Sequence, residues 1–247
     1  MAIHIKVIIK ELMNKKYPDY SIEKEYVNKG FVAGIDEAGR GPLAGPVVAA
    51  AVILQDKLLS KSGINDSKKI VEKERVRLFE LIRKKSLSFG FSFIDNEIID
   101  KINILQATQL AMKKAVESLT IKPDHLLVDG NYFNEFGIPF TTVVKGDSKS
   151  ISIAAASIIA KVVRDKWMVD VADRFFPEYG FAKHKGYATK EHYKAIEKHG
   201  LCPLHRRSFL KRIEHIAYKN TEDKNVITDL LQNPFTYYTM DAEPSSA

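Results

Sequence analysis

Two rhythms of apolar spacing run along this chain, and each switch between them marks an element. Phe31-Val32-Ala33-Gly34-Ile35 is a continuous apolar run of strand length, and Pro46 to Leu54, rich in Val, Ala and Ile, is a second. The Gly- and Pro-rich stretch between them predicts a hairpin. Val71 to Ser86 carries Val71, Leu78, Leu81 and Ile82 at helical spacing among charges, and Leu87 to Ile94 returns to the alternation of a strand. Asp95 is an N-cap candidate for a helix running through Leu105 to Leu119, which must stop before Pro123. Beyond it, His125-Leu126-Leu127-Val128 predicts a short buried strand ending at Asp129-Gly130, and Phe140 to Val144 another ending at Gly146-Asp147. Ile151 to Phe176 is a long helix whose first turns, mostly Ala, Ser and Ile, suit close packing on a sheet. Thr189 and Gly200 bracket one more helix as cap and stop. Strands and helices mixed in this order make an α/β domain.

The flanks differ from this middle. Residues 1–30 mix a short amphipathic stretch with the turn signal Tyr17-Pro18-Asp19-Tyr20 and are set apart as an N-terminal extension. Residues 31–218 form the domain, with a basic helical C-terminal part. Residues 219–247 read as a poorly ordered acidic tail, since 221–247 hold five acids and one lysine.

Composition narrows the class. A chain of 247 residues, 45% hydrophobic and 28% charged, is neither wholly disordered nor a disulfide scaffold. Cys202 is the only cysteine, which excludes an internal disulfide and cysteine clusters for zinc; it fits a reducing compartment, and the expected location is cytoplasmic. No run approaches the roughly 20 apolar residues that span a bilayer. Lys6, Lys10 and Glu11 interrupt the apolar stretch at Ile5 to Met13, so neither a signal peptide nor a membrane span is expected. Charge changes the picture more: 38 Lys and Arg against 31 Asp and Glu leave a net +7, and residues 183–215 alone hold nine basic side chains against three Glu. That segment is a candidate phosphate-facing surface.

Four acids share one kind of position. Asp36, Glu37, Asp129 and Asp147 each lie at or just beyond the end of a predicted strand, with glycine close by. Strand ends of open α/β sheets are where functional groups converge. Carboxylates gathered there repel, and some stay protonated unless a cation neutralises them. An all-oxygen set without His or Cys suits hard ions, Mg2+ or Mn2+, over zinc. Two such ions about 3.5 to 4 Å apart can activate a water and stabilise the leaving oxygen of a phosphodiester. Ordinary turn aspartates are the competing explanation for Asp129-Gly130 and Gly146-Asp147. It is weaker for Asp36-Glu37, whose burial after an apolar run is costly without a partner.

The run Gly34-Ile35-Asp36-Glu37-Ala38-Gly39-Arg40-Gly41-Pro42-Leu43-Ala44-Gly45-Pro46-Val47 closely resembles the signature of ribonuclease HII, the type 2 ribonuclease H of bacteria. Further blocks resemble that family in the family's order: Asn65-Asp66-Ser67-Lys68-Lys69, Val128-Asp129-Gly130, Lys145-Gly146-Asp147, the helix from Ser152 to Asp165, His184-Lys185-Gly186-Tyr187 and His205-Arg206-Arg207-Ser208-Phe209. The likeness covers about residues 31–210. It implies a ribonuclease H-like fold, a central mixed sheet flanked by helices, with Asp36, Glu37, Asp129 and Asp147 as metal-binding carboxylates. It also implies endonucleolytic cleavage of RNA in RNA-DNA hybrids and of duplex DNA 5′ to an embedded ribonucleotide, leaving a 3′-hydroxyl and a 5′-phosphate, in the removal of primers and misincorporated ribonucleotides. By the same resemblance Gly39, Arg40 and Gly41 touch the ribose 2′-hydroxyl, the group that separates RNA from DNA, and Tyr187 packs on the sugar at the RNA-to-DNA junction.

Local chemistry sharpens several of these expectations. Neighbours on a regular strand face opposite ways, so the first strand is expected to end or bulge between Asp36 and Glu37. Lys68, Lys149, Lys161, Lys185 and Arg206 are candidate phosphate contacts, against the simpler picture of a solvated basic face. Asp165, with Arg164 and Lys161 beside it, is a candidate supporting acid. His184, His192, His199, His205 and His215, set among lysines, read as surface residues, and Cys202 with His205 makes no zinc set. A hybrid-binding protein without chemistry is the main alternative; the full set of four acids argues against it. An integrase or exonuclease of the same general fold would keep the acids but gives no reason for Gly39-Arg40-Gly41 and Tyr187.

Overall fold

The computed structural model describes residues 17–54 and 62–210. Its centre is one five-stranded sheet: β1 (Val32–Ala38), β2 (Val47–Leu54), β3 (Ser86–Ile94), β4 (His125–Asp129) and β5 (Phe140–Val143), in the order β3-β2-β1-β4-β5. The first three strands pair antiparallel, and β1, β4 and β5 pair parallel, so the sheet is mixed as expected.

Period-two alternation along β2 feeds two cores. Val48, Ala50, Val52 and Leu54 pack with α1 (Glu72–Lys85) and α3 (Ile151–Trp167), while Val47, Ala49, Ala51 and Ile53 pack with α2 (Asn96–Glu117) on the other face. Every β2 residue is buried for that reason. Small side chains let α3 settle closely on β1: a Cβ on Gly34 would stand 2.1 Å from the Ser152 carbonyl carbon.

Helix ends follow their local signals. Asp95 caps α2, accepting from Ile98 N, and Asn103, at φ 66°, breaks the helix and re-caps it by accepting from Leu105 N and Gln106 N. That break explains why helical spacing is clear only from Leu105 onward. The long helix continues past Trp167 through a π-helical segment, Met168–Ala172, to Phe175. Thr189 caps α4 (Lys190–His199), and Gly200 follows its end.

Residues 17–30, read from the sequence as an extension, are tied to the sheet. Glu23 is buried and accepts from Ser150 Oγ (2.6 Å) and Ser152 N (2.9 Å) at the start of α3. Tyr26 stacks on His125 and bonds Thr141, and Tyr20 donates to the Leu54 carbonyl. The acidic tail expected over 219–247 and His215 lie outside the described residues.

The irregularity expected between Asp36 and Glu37 is not there. Asp36 pairs with Ala50, Glu37 with Ala49 and Ala38 with Val48 in unbroken register; the shift in this sheet falls between Ile53 and Leu54. What opens beside the two acids is the neighbouring strand. The β1–β4 pairing stops at Ile35–Val128, while β1 runs on to Ala38, so Asp36 and Glu37 border the end of β4 without a partner strand on that side.

Candidate active site

Asp129 is the last residue of β4, and its Oδ1 accepts from Gly146 N at 2.6 Å. That bond draws in the 3₁₀ turn Gly146–Ser148, which carries Asp147. The opening at the end of β4 thereby brings Asp36, Glu37, Asp129 and Asp147 into one another's fields. Burial, then the charges of Glu37, Asp129 and Asp147, push the Asp36 carboxyl well above its ordinary value, although the Glu37 N–H donating to it works the other way. Burial also raises Glu37, against the pull of the Arg40 guanidinium 3.3 Å away. Asp147 is raised by burial and by Asp66 and Asp129.

Lys68 is the cation that feels most of this cluster. Burial works against the Lys68 ammonium, but the charges of Asp36, Asp66, Asp147 and Asp129 outweigh it and raise its pKa. Lys68 is held there because Asp66 caps its turn, accepting from Lys68 N at 2.9 Å. Asp66 is the acid that sequence reasoning passed over; its capping position ahead of Ser67-Lys68-Lys69 was the available signal. Lys149 is exposed beyond the Asp147 turn, and its carbonyl accepts from Asp19 N.

Among the described residues, no three His, Cys, Asp or Glu side chains already enclose a coordination cage. The donors are nonetheless suited to a hard divalent ion: all are carboxylate oxygens, and Asp36 and Asp147 are each destabilised by the charge of neighbouring carboxylates.

The recognition candidates lie beside the acids. A Cβ on Gly41 would meet Tyr187 Cε1 at 4.0 Å, so the Gly39-Arg40-Gly41 turn and the tyrosine ring are neighbours. Tyr187 is 40% exposed. Lys161 Nζ and Arg164 Cζ stand 5.6 and 5.7 Å from its ring centroid. Asp165 pairs with Lys161 at 2.8 Å.

Two expectations about the basic and histidine residues need correction. Arg206 is fully buried and gives its N–H groups to backbone carbonyls, so it does not face a phosphate. Lys185 turns its ammonium to the Ala182 carbonyl. His192 and His205 are core residues, not surface ones. Cys202 N donates to His205 Nδ1 (2.9 Å), which assigns the His205 proton to Nε2, 3.1 Å from His192 Nε2. His192 Nδ1 then donates to the Tyr187 carbonyl at 2.9 Å. A chain of neutral imidazoles thus anchors the tyrosine's backbone.

The family model described as Ribonuclease HII matches residues 33–212. The chain belongs to the ribonuclease HII family. Ribonuclease HII of Clostridioides difficile is 56% identical over 193 residues, 77% of this chain and 75% of that protein. The Caldicellulosiruptor bescii ribonuclease HII is 50% identical over 196 residues, 78% of this chain and 94% of that one. Among solved structures, the ribonuclease H2 of Pyrococcus horikoshii superposes with a TM-score of 0.60 at 25% identity, covering 82% of this chain and 99% of that one. The Archaeoglobus fulgidus ribonuclease HII, solved in complex with PCNA, gives a TM-score of 0.62 at 27% identity over 78% of this chain and 98% of that one. As a member of that family the chain is an endoribonuclease of RNA-DNA hybrids on a ribonuclease H-like fold. Among the described residues no helix is long and apolar enough to cross a membrane.

Proposed function

We propose that this ribonuclease also cuts duplex DNA on the 5′ side of an embedded ribonucleotide, leaving a 3′-hydroxyl and a 5′-phosphate, with Asp36, Glu37, Asp129 and Asp147 holding Mg2+ or Mn2+. Its work is ribonucleotide excision during DNA replication and repair, in the cytoplasm. The observation that carries the reading is the gathering of four carboxylates at the open end of β4, beside a Gly-Arg-Gly turn exposed at Arg40 and Gly41 and an exposed tyrosine.

Held by these four carboxylates, divalent ions would supply an activated water and neutralise charge at the leaving oxygen. The chain's residues do the rest. Asp129 and Asp147 are fixed relative to each other by the Gly146 hydrogen bond, which sets half of the donor set before any ligand arrives. Lys68 offers an ammonium beside the acids, where it can hold a backbone phosphate of the substrate. The Gly39–Gly41 backbone comes close to a ribose where a side chain would intervene, and Tyr187 presents a flat face to the adjoining sugar. The exposed Lys183, Lys190, Lys194 and Lys198 of the basic segment supply phosphate contacts that position the duplex.

The test is a labelled duplex with one ribonucleotide, incubated with and without divalent ion, with the cut mapped to the nucleotide. Ion-dependent cleavage at the 5′ side of the ribonucleotide is expected. Full cleavage in excess chelator defeats the metal assignment, and tight binding without cleavage favours an inert hybrid-binding protein.

A further inference from the structure

Two buried arginines sit beneath the Gly-Arg-Gly turn. Arg164 and Arg206 are both fully buried. Arg206 donates through Nε to the Gly45 carbonyl (2.9 Å), through Nη1 to that of Arg40 (2.9 Å) and through Nη2 to that of Gly39 (2.6 Å). Arg164 donates to the carbonyls of Pro46 (2.9 Å), Lys185 (3.1 Å) and Ala44 (3.3 Å). Six backbone carbonyls of the recognition loops thus converge on two guanidiniums.

For stability alone this is a poor arrangement. Burial and the neighbouring Arg164 charge push Arg206 down to about 9, and burial lowers Arg164 too. Well-packed apolar side chains commonly do as well or better in such places. The geometry is instead matched to the turn. Gly39 has φ +92°, and a Cβ on it would lie 2.0 Å from Arg164 Nε, so glycine and guanidinium fit only each other.

The consequence follows from peptide planarity. There are no cis peptide bonds among the described residues, and in a trans peptide the N–H points opposite to the C=O. With the Gly39 carbonyl turned inward to Arg206, the N–H of Arg40 points away; with the Arg40 carbonyl turned inward, so does the N–H of Gly41. Both residues are exposed, and no hydrogen bond among the described residues takes up either N–H.

We propose that Arg206, braced by Arg164, is a positioning residue for ribose discrimination: it fixes the peptides of the turn so that the Arg40 and Gly41 N–H groups face outward together as donors to a ribose 2′-oxygen. The proposal rests on the reading of Gly39–Gly41 as the ribose-contacting turn. A substrate lacking the 2′-oxygen leaves these donors unanswered, and that difference is the discrimination. Lysine at 206 keeps the charge but offers a single point where three divergent carbonyls need a planar fork.

The experiment is done in the Asp129→Asn background, so that substrate survives. Binding is measured for two duplexes, one with a single ribonucleotide and one all-deoxy, alongside amide hydrogen exchange at Arg40 and Gly41. In the background protein these two amides should exchange fast when free and slow when the ribonucleotide duplex binds. Adding Arg206→Lys, or the apolar Arg206→Met, should lower the ratio of ribonucleotide to all-deoxy affinity at least tenfold, with all-deoxy affinity unchanged and the protein still folded. No protection of the two amides in the background protein refutes the ribose reading of the turn itself. Protection there, together with an unchanged affinity ratio in a folded Arg206 variant, overturns Arg206 as the positioning residue while leaving that reading intact. If neither variant folds, Arg206 is a stability residue and the proposal also falls.

Discussion

Asp129 accepts the Gly146 N–H at 2.6 Å, so the acid that ends β4 is also the post on which the Asp147 turn hangs. One of its oxygens is committed to the fold, and the charge of the group acts on Asp36, Glu37 and Asp147. The two duties separate by substitution. Asp129→Asn keeps an oxygen acceptor for Gly146 and removes the charge. Cleavage of a single-ribonucleotide duplex should fall about 100-fold or more, with binding and melting temperature close to wild type. Asp129→Ala should lose cleavage and also about 1 kcal/mol of stability, because a buried N–H is left without its partner. Undiminished turnover by the Asn variant would remove Asp129 from the metal set.

Tyr187 offers its ring to solvent at 40% exposure while its carbonyl is anchored by His192, so the ring is expendable for folding. Tyr187→Ala should shift stability by less than about 1 kcal/mol. Cleavage at a single ribonucleotide should suffer more than cleavage of a continuous RNA-DNA hybrid, where neighbouring riboses offer other registers. Tyr187→Phe should rescue most of the loss, since stacking on a sugar needs the ring and not the hydroxyl. Normal single-site cleavage by the Ala variant would take Tyr187 out of recognition.

The sequence made some of this visible and hid the rest for physical reasons. Strands, helix caps and the four acids carry local signals: period-two burial in β2, Asp95 and Thr189 at helix starts, glycine beside Asp129 and Asp147. The gathering of the acids depends on where β4 stops relative to β1, which is a pairing fact with no local trace, and so the sequence predicts an end or a bulge where the strand is regular. Arg206, His192 and His205 look like members of a basic surface because their composition is basic. Only the fold shows that their partners are carbonyls and imidazoles up to 167 positions away. Residues 17–30 gave no chemical signal either, since the role of Glu23 is to accept from Ser150 and Ser152, more than 120 positions on.

Gly34 tests how tightly α3 must sit for the site to exist. An added methyl would meet backbone, Ser152 C at 2.1 Å and Ile153 N at 2.4 Å, and neither can swing aside as a side chain does. Gly34→Ala should therefore destabilise by about 3 kcal/mol, at the upper end for overpacking, seen as a lower midpoint in urea unfolding. Activity should fall as well in protein that remains folded, because α3 carries Lys161 and Arg164 beneath Tyr187. A variant with wild-type midpoint and activity would show that the helix can back away without consequence.

The neutral histidine chain sets an acid limit on the fold. Burial pushes His192 down to about 4 and His205 to about 3, and His184, stacked on His192, is lowered by burial as well. In the unfolded chain each titrates near 6.5. A depressed folded value means that the unfolded state binds protons first, so the stability held by these residues is whole above about pH 6.5 and drains away as pH falls towards 4 and 3. The raised carboxyls of Asp36, Glu37 and Asp147 act in the opposite direction, losing stability as pH rises. His192→Asn separates the two, because asparagine can still donate to the Tyr187 carbonyl but does not titrate. It should be less stable than wild type at pH 7.5, where a packed ring has been lost, yet its stability should fall less between pH 6.5 and 4, with the difference approaching ~3 kcal/mol at the acid end. Urea unfolding at half-unit pH steps reads both curves. Parallel curves over that range would mean that the imidazole at 192 accepts a proton in the folded protein as readily as in water.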